Sequence, residues 1–300
     1  MTSPNPFAPT FGASPPLLAG RDKPIHNITT ALESGPNHPD RTVIFTGMRG
    51  SGKTVLLNEV EDRAQQKGWI AISHDASTPG FVDRVARDTD RELEELEGPP
   101  PIKRLSGVEA GGFGVEFENV PPEPRTLDLR HSLTELTNRL VQHSTGVLIT
   151  IDELQNADRT EARVLGSVIQ HVARRQAKPV AFVGAALPSI EDTILADQAI
   201  TFFQRCSRYE IGPLDPTATR AALVVPINDQ GGFITTDALN LAVKESRGYP
   251  FVVQLIGFHM WELADGQEIT QEVAVSAIDE ANNRFATAIM GPTWRQLSKA

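Results

Sequence analysis

The sequence predicts an α/β fold: a three-layer αβα domain built on a parallel sheet, followed by a small helical lid domain. Three observations predict it. A β-branched and aromatic run at 42–46 is followed by a glycine-rich turn, a helical pattern and another apolar run at 69–72. A later apolar run at 147–151 ends in two carboxylates, and only helical patterns follow Pro213. Strand, helix and strand in this order form the βαβ unit, whose crossover makes the paired strands parallel.

Alternating and helical periodicities divide the first domain into five strands and their connections. Strands are expected over 42–46, 69–72, 147–151, 180–183 and 208–211, with helices over 25–34, 55–66, 81–96, 127–143 and 160–175. In the lid domain, helices are expected over 217–224, 236–246, 250–264 and 270–290, with N-caps at Asp215 and at Thr235 or Thr236 and stops at Gly248 and Gly266. We see no internal repeat.

Composition shifts along the chain suggest the domain boundaries. Residues 1–20 are rich in Pro, Ser and Gly and are expected to form a flexible or loosely docked arm. The core is then expected over 21–212 and the lid over 213–300. Within the core, residues 98–124 alternate about a Gly-Gly-Phe-Gly turn between proline-rich ends, which predicts a β-hairpin insertion whose role the sequence does not reveal.

Charge and cysteine usage limit the partners and the compartment. The net charge is −10, from 38 acidic and 28 basic side chains, so a nucleic-acid backbone is repelled on average, although a local basic patch can still exist. Cys206 is the only cysteine, which excludes an internal disulfide and suits a reducing cytoplasm. No apolar stretch approaches the roughly 20 residues that a membrane helix requires. We therefore expect a cytoplasmic protein that has no membrane partner and does not bind nucleic acid through these residues alone.

The glycine-rich turn matches the phosphate-loop pattern G-x-x-x-x-G-K-[ST]. Its residues are Gly47, Met48, Arg49, Gly50, Ser51, Gly52, Lys53 and Thr54. Glycines let main-chain N–H groups converge on phosphates, and the following helix adds its positive end. The pattern assigns Lys53 to the β- and γ-phosphates and the Thr54 hydroxyl to Mg²⁺, which predicts ATP and Mg²⁺ as cofactors.

The two carboxylates at the end of the 147–151 run complete the predicted site. Asp152 is expected to hold Mg²⁺, and Glu153 to act as the base that polarises the attacking water. Carboxylates at the carboxyl end of a parallel strand lie where such sheets bind their ligands. Because binding alone needs only the first acid, Glu153 is the sequence evidence for hydrolysis.

Phosphoryl transfer also benefits from a cation on the γ-phosphate, supplied in cis or by a neighbouring subunit. Arg205 and Arg208 precede the last strand of the core and are the candidates for this role. The histidines show no metal-ligand spacing, and Cys206 has no activating partner, so we interpret that cysteine as a packing residue.

With these elements placed, the chain resembles the AAA+ and STAND ATPases, especially the prokaryotic group related to origin-recognition ATPases. The marks of this resemblance are LAGRD at 18–22, the phosphate loop, IDELQ at 151–155, FQR at 203–205 and GYPF at 248–251. The resemblance implies that Gly20 and Arg21 flank the adenine pocket and that Tyr249 and Pro250 close it. It also implies an arginine-finger role for Arg205 or Arg208, which requires a homo-oligomer when the finger acts in trans.

Two departures from this family pattern affect the expected mechanism. Such ATPases usually carry a polar sensor residue at the end of the strand after the carboxylates, whereas residues 180–186 read VAFVGAA. Relatives also often continue into a winged helix that binds DNA. The given sequence ends at Ala300, shortly after the last predicted helix.

The sequence therefore predicts an ATPase that converts ATP to ADP and phosphate and couples nucleotide state to lid movement or assembly. One alternative is a nucleotide-dependent switch with negligible turnover, which the apolar sensor position favours and Glu153 opposes. Another is a DNA-associated initiator that acts through a C-terminal winged helix. An ABC-type ATPase is disfavoured because LSGVE at 105–109 lies among strand-forming residues instead of opening a helix. No pattern identifies the protein client.

Overall fold

The structure, a computed structural model of the chain, describes residues 4–10, 12–97, 128–265 and 268–287. The hairpin expected over 98–124 lies outside the described residues, as do the predicted helix stop at Gly266 and the end of the last predicted helix. Among the described residues, no helix has both the length and the apolar character needed to cross a membrane.

Five parallel strands form the central sheet. They are β1 (Thr42–Thr46), β2 (Ile70–Asp75), β3 (Val147–Asp152), β4 (Val180–Ala186) and β5 (Ser207–Glu210). Their order across the sheet is β2-β3-β4-β1-β5, so β1 lies between β4 and β5, and β4 separates β1 from β3. All carboxyl ends of the strands therefore lie at one edge of the sheet, as a parallel arrangement requires. The predicted fold class is confirmed.

Helices cover both faces of the sheet. The helices of the first domain are α1 (Asp22–Glu33), α2 (Lys53–Gln66), α3 (Phe81–Glu97), α4 (Leu129–Val141), α5 (Arg159–Gln170) and the short α6 (Thr201–Gln204). Alternate strand residues choose the face. Val43 and Phe45 pack with α1 and α2, whereas Ile44 points to the cluster formed by α3, α4 and α5. Short 3-10 turns lie at Pro39–Arg41, Leu154–Asn156 and Pro188–Glu191, and a π-helical turn, His171–Arg175, extends α5.

The lid has its own apolar core. Its helices are α7 (Pro216–Asp229), α8 (Thr236–Ser246), α9 (Pro250–Ala264) and α10 (Gln271–Phe285), and the predicted N-caps Asp215 and Thr235 accept hydrogen bonds from Ala218 N and Ala238 N. The expectation of helices alone was wrong, because β6 (Phe233–Ile234) pairs in parallel with β7 (Glu268–Ile269). Helix α7 also continues past its predicted end, since Ile227, beyond Pro226, is fully buried in the lid core and its packing outweighs the hydrogen bond that proline removes.

The described part of the N-terminal arm packs against the lid. The ring of Phe7 is 3% exposed and lies beside Gly257 of α9, where an added Cβ would come within 2.5 Å of the ring. Asn5 Nδ2 donates to Phe258 O at 3.1 Å, and Ala8 N donates to Gln254 Oε1 at 3.3 Å. Of the two alternatives expected for the arm, flexible or loosely docked, residues 5–8 adopt the docked one, because one buried aromatic ring anchors them to a helix about 250 residues away.

Candidate nucleotide-binding site

The phosphate loop connects β1 to α2 and is shaped by close backbone approaches. At Gly47, a Cβ would lie 2.4 Å from the carbonyl oxygen of Ile211, so no other residue fits without a shift of the backbone. Gly52, with φ of +93°, turns the chain into α2, which begins at Lys53. The first N–H groups of a helix have no partner within it, and here they face the loop. This arrangement is suited to an anion.

Lys53 is held within the loop. Its side chain is 7% exposed, and Nζ donates to Gly47 O at 2.9 Å and to Met48 O at 3.1 Å. Burial lowers the pKa of Lys53, while the nearby charges of Glu153 and Asp152 oppose that shift. The ammonium group thus lies against backbone carbonyls. An incoming phosphate would supply a negative charge that stabilises the charged form of Lys53, which burial disfavours.

The Thr54 hydroxyl and the Asp152 carboxylate meet directly. Thr54 Oγ1 donates to Asp152 Oδ2 at 2.6 Å, although the two strands that bring them here, β1 and β3, are separated by β4. Two hard oxygen donors at this edge match the preference of Mg²⁺, which binds proteins through few ligands and keeps several waters. Thr54 and Asp152 are therefore the residues that would hold the metal.

Glu153 adopts a backbone conformation that is rare for a non-glycine residue. Its φ is +50° and its ψ is 35°, in the left-handed region, and its N–H donates to Asp152 Oδ1 at 2.7 Å. Such a conformation costs roughly 1–2 kcal/mol, and it occurs at functional sites where the surroundings enforce it. The turn points the Glu153 side chain toward the cavity that the phosphate loop lines.

Gln155 links Glu153 to the end of β4. Its Nε2 donates to Glu153 Oε2, its Oε1 accepts from Leu187 N at 2.8 Å, and its side chain is 8% exposed. Sequence reasoning quoted Gln155 only within the IDELQ mark and gave it no role. The end of β4 has no polar side chain, and this absence was the signal that could have pointed to Gln155. The Gln155 amide reaches the residue just after β4 and supplies the polar group that the strand lacks.

A cavity of about 610 Å³ extends from the phosphate loop to the lid. This volume lies within the range of about 300–1,000 Å³ that small-molecule sites occupy. The loop, Glu153 and Asn156 line one end, which we call the phosphate end. The arm and the lid line the other, which we call the base end: its residues include Ala8, Pro9, Thr10, Leu17, Leu18, Ala19, Leu214, Ala222, Phe251 and Val253.

Of the four residues expected around adenine, two line the cavity and two are not among its described lining residues. Arg21 lines the cavity, and its guanidinium donates to Gly212 O at 2.5 Å and to Ser51 O at 3.3 Å; burial lowers its pKa. Pro250 also lines it. Gly20 instead packs against Ala218, and Tyr249 stacks edge-on to Phe285 at 5.7 Å, beside the phosphate loop. Neither of these two occurs among the described residues that line the cavity. The arm residues were missed because nothing in their sequence marks a binding wall.

The two candidate finger arginines lie away from the cavity. Arg205 follows α6 and is exposed, and Arg208 of β5 is exposed and paired with Glu191 Oε1 at 2.5 Å. Neither is among the described lining residues of the phosphate end. Any contact with a phosphate would therefore have to be made to a neighbouring copy.

The remaining candidate groups are the single cysteine and any cluster of side chains that could bind a metal. Cys206 is buried, and burial raises its pKa to about 12, which leaves a thiol without nucleophilic character near neutral pH. Within the described ranges, no three His, Cys, Asp or Glu side chains are grouped so that they could hold a metal ion.

Comparisons with known proteins decide the family. A family model described as AAA ATPase domain matches residues 17–183, which is more than half of the chain. The chain belongs to the AAA ATPase domain family. The resemblance to AAA+ P-loop ATPases is thereby confirmed, and this AAA ATPase domain includes the phosphate loop and both carboxylates. No curated protein matches the chain.

Solved structures share the fold of this AAA ATPase protein at low identity. A Walker-type ATPase of Pyrococcus abyssi superimposes with a TM-score of 0.61 at 14% identity, covering 94% of this chain and 75% of that one. The ORC2 protein of Aeropyrum pernix gives 0.59 at 14%, covering 91% and 70%. RuvB of Thermotoga maritima gives 0.54 at 14%, covering 87% and 69%. These similarities extend over the lid as well as the core.

Proposed function

We propose that this AAA ATPase-domain protein hydrolyses ATP to ADP and phosphate with Mg²⁺ and couples its nucleotide state to movement of the lid or to assembly. One observation carries the proposal: the 2.6 Å hydrogen bond between Thr54 and Asp152, with Glu153 next to it and Lys53 in the same cavity. These are the residues that phosphoryl transfer requires, brought together from two separate strands.

Each residue has a distinct part in this proposal. Main-chain N–H groups of the loop and the Lys53 ammonium bind the phosphates, and Thr54 and Asp152 would hold Mg²⁺, which would neutralise phosphate charge when bound. Glu153 accepts a proton from the attacking water. Gln155 orients the Glu153 carboxylate by donating to one of its oxygens.

The coupling to the lid rests on the composition of the base end. Pro250, Phe251, Val253 and Gln254 of α9 line the same cavity as the phosphate loop, and the arm is attached to that helix through Phe7. A nucleotide in the cavity would contact core, arm and lid at once. Its affinity would therefore differ between lid positions, which is the condition for a ligand to shift a conformational equilibrium.

The test measures binding and turnover separately. We expect Glu153→Gln to retain Mg-ATP binding while steady-state phosphate release falls at least about 100-fold, the usual contribution of a positioned base. Lys53→Ala should lose both binding and turnover. The isosteric amide in Glu153→Gln keeps the shape of the site, so a loss of folding is not expected, and thermal unfolding without nucleotide checks this.

The switch without turnover is the rival, and the apolar end of β4 favours it. If wild-type protein binds ATP but releases no phosphate above the Lys53→Ala background, the switch is correct and hydrolysis is wrong. The same assay across protein concentration tests whether Arg205 or Arg208 acts in trans. Turnover per subunit that rises with concentration, and falls in Arg205→Ala or Arg208→Ala, would support a site shared between copies.

A further inference from the structure

A second cavity, of about 490 Å³, is lined by residues of α4, α5, the π-helical turn and α6. Four arginines face it: Arg130 of α4, Arg163 of α5, and Arg174 and Arg175 of the π-helical turn. His171 lines it as well. We call this cavity the arginine groove. In a chain with net charge −10, four cations at one site are a local reversal of the overall charge.

Among the described residues, most of this positive charge has no ion-pair partner. Arg163 pairs with Asp197 at 3.3 Å, and its side chain remains 52% exposed. In the ranges that the structure describes, no carboxylate forms an ion pair with Arg130, Arg174 or Arg175. Like charges that converge without compensation repel one another, so the groove is more stable when an anion occupies it.

The spacing of these residues fits a row of anions better than a single one. Arg163 and Arg174 lie on one stripe of α5 and its extension, with Ser167 and Gln170 between them. Helical rise over the eleven residues from Arg163 to Arg174 is about 16 Å. One strand of a duplex advances about 3.4 Å of axis per phosphate and an unstacked single strand advances further, so this length spans at most about five phosphate intervals.

The groove offers side chains that contact phosphate and sugar oxygens. Arginine, serine, threonine and glutamine are the usual donors to phosphate and sugar oxygens, and Ser167, Gln170 and Thr201 line the cavity beside the arginines. Phe202, which also lines the cavity, is only 8% exposed, so its ring offers no free face on which a base could stack.

We propose that the arginine groove binds the phosphate backbone of one nucleic-acid strand without regard to sequence. The binding would be independent of the nucleotide cavity, since no residue lines both sites among those described. It is also compatible with the net charge of −10, because steering and neutralisation depend on local charge within a Debye length of about 10 Å at 0.1 M salt.

The experiment uses the whole chain and fluorescence anisotropy with a mixed-sequence labelled 20-nucleotide single strand, titrated over a range of salt concentrations. The variants are made in the Lys53→Ala background, so that the phosphate loop does not compete for the strand. We expect Arg174→Ala/Arg175→Ala to weaken binding about tenfold near 0.1 M salt and to reduce the slope of log K against log salt by about 1.4, the value for two lost phosphate contacts on a single strand.

A matched control removes the same charge elsewhere. Arg63→Ala/Arg87→Ala deletes two exposed arginines of α2 and α3 and should leave both the affinity and the slope unchanged. Because the double substitution in the groove alters a π-helical turn, Arg130→Ala on α4 serves as an independent variant and should reduce the slope by about 0.7. Thermal unfolding of each variant checks the fold.

Three results would overturn the proposal. The first is equal DNA affinity in the groove variants and the control. The second is binding of inorganic polyphosphate with no binding of DNA or RNA, which would assign the groove to a free phosphate chain. The third is displacement of the strand by polyglutamate at equal charge concentration, which would assign it to an acidic polypeptide. In addition, two strands of unrelated sequence should bind with equal affinity, since phosphate contacts carry no sequence information. Unequal affinities would mean that the groove reads bases.

Discussion

The two ends of the nucleotide cavity are built in opposite ways. At the phosphate end, the groups are polar, close in space and tied to the first and third strands of one rigid sheet: Thr54 meets Asp152 at 2.6 Å and Lys53 lies on the loop carbonyls. At the base end, the walls are mostly apolar and come from four separate segments, namely the arm, the linker at Leu214 and helices α7 and α9 of the lid. The sheet holds the polar groups of the phosphate end in fixed positions. The apolar walls of the base end come from different segments, so their arrangement can change with the position of the lid.

The difference also shows how each end is held together. The sheet surrounds Asp152 with fully buried residues of β3 and β4, so its position follows from the core of the domain. The arm is held by the ring of Phe7, by three hydrogen bonds from Asn5 and Ala8 to α9, and by Leu17 and Ala19, which pack on the lid core. Because this attachment has fewer fully buried side chains than the sheet around Asp152, we expect the base end to open first.

Gln155→Leu should have the largest effect among the variants that sharpen this comparison. It removes the donor to Glu153 and leaves Leu187 N without its acceptor, so we expect turnover to fall about tenfold or more while Mg-ATP affinity changes little. Steady-state phosphate release and equilibrium binding measure the two effects. Equal losses in both would show that Gln155 only supports the fold.

Gln155→Glu provides a readout that a purely structural role would not move. It places a second carboxylate beside Glu153, and two neighbouring carboxylates compete for one proton. Because the base must be unprotonated to act, the acidic limb of the profile of turnover against pH should move to higher pH. An unchanged limb would mean that Gln155 does not control Glu153.

Phe7→Ala tests the base end and should act on affinity more than on chemistry. The variant removes a ring that is 3% exposed, and burial of such a side chain is worth about 1.5–3 kcal/mol. If part of that energy holds the arm against the nucleotide, Mg-ATP should bind about tenfold more weakly, with turnover at saturation nearly unchanged. Equilibrium binding and saturating kinetics check this.

The matched control for this substitution is Phe233→Ala. That phenylalanine lies in β6 of the lid and is 60% exposed, and it is not among the described residues that line the cavity. It should change neither affinity nor turnover. A loss of turnover at saturation in Phe7→Ala would contradict the separation of the two ends.

The same contrast between the two ends of the cavity explains how much of each end could be predicted from the sequence. The phosphate loop is one contiguous segment whose glycines and lysine are adjacent in the chain, and Asp152 and Glu153 end an apolar strand, so local patterns were enough. The base end depends on pairs such as Phe7 with Gly257, which no local pattern connects. The strand order could not be predicted for the same reason, because nothing in the run at 180–186 indicates that it lies between the first and third strands. The strands β6 and β7, of two residues each, are too short to show alternation.

Gly257→Ala should give the smallest effect and separates arm docking from lid stability. An added methyl would come within 2.5 Å of the Phe7 ring, so the ring must move out of its seat and the arm should leave α9. The substitution lies inside a helix, however, where alanine is favoured over glycine by about 1 kcal/mol. This gain offsets only part of the lost Phe7 burial, so the free energy of unfolding should fall by less than in Phe7→Ala, while Mg-ATP binds a few-fold more weakly. Thermal unfolding without nucleotide and equilibrium binding measure the two quantities on one sample. If affinity stays at the wild-type value although proteolysis shows the arm released, the arm does not contribute to the base end, and its packing on the lid serves stability alone.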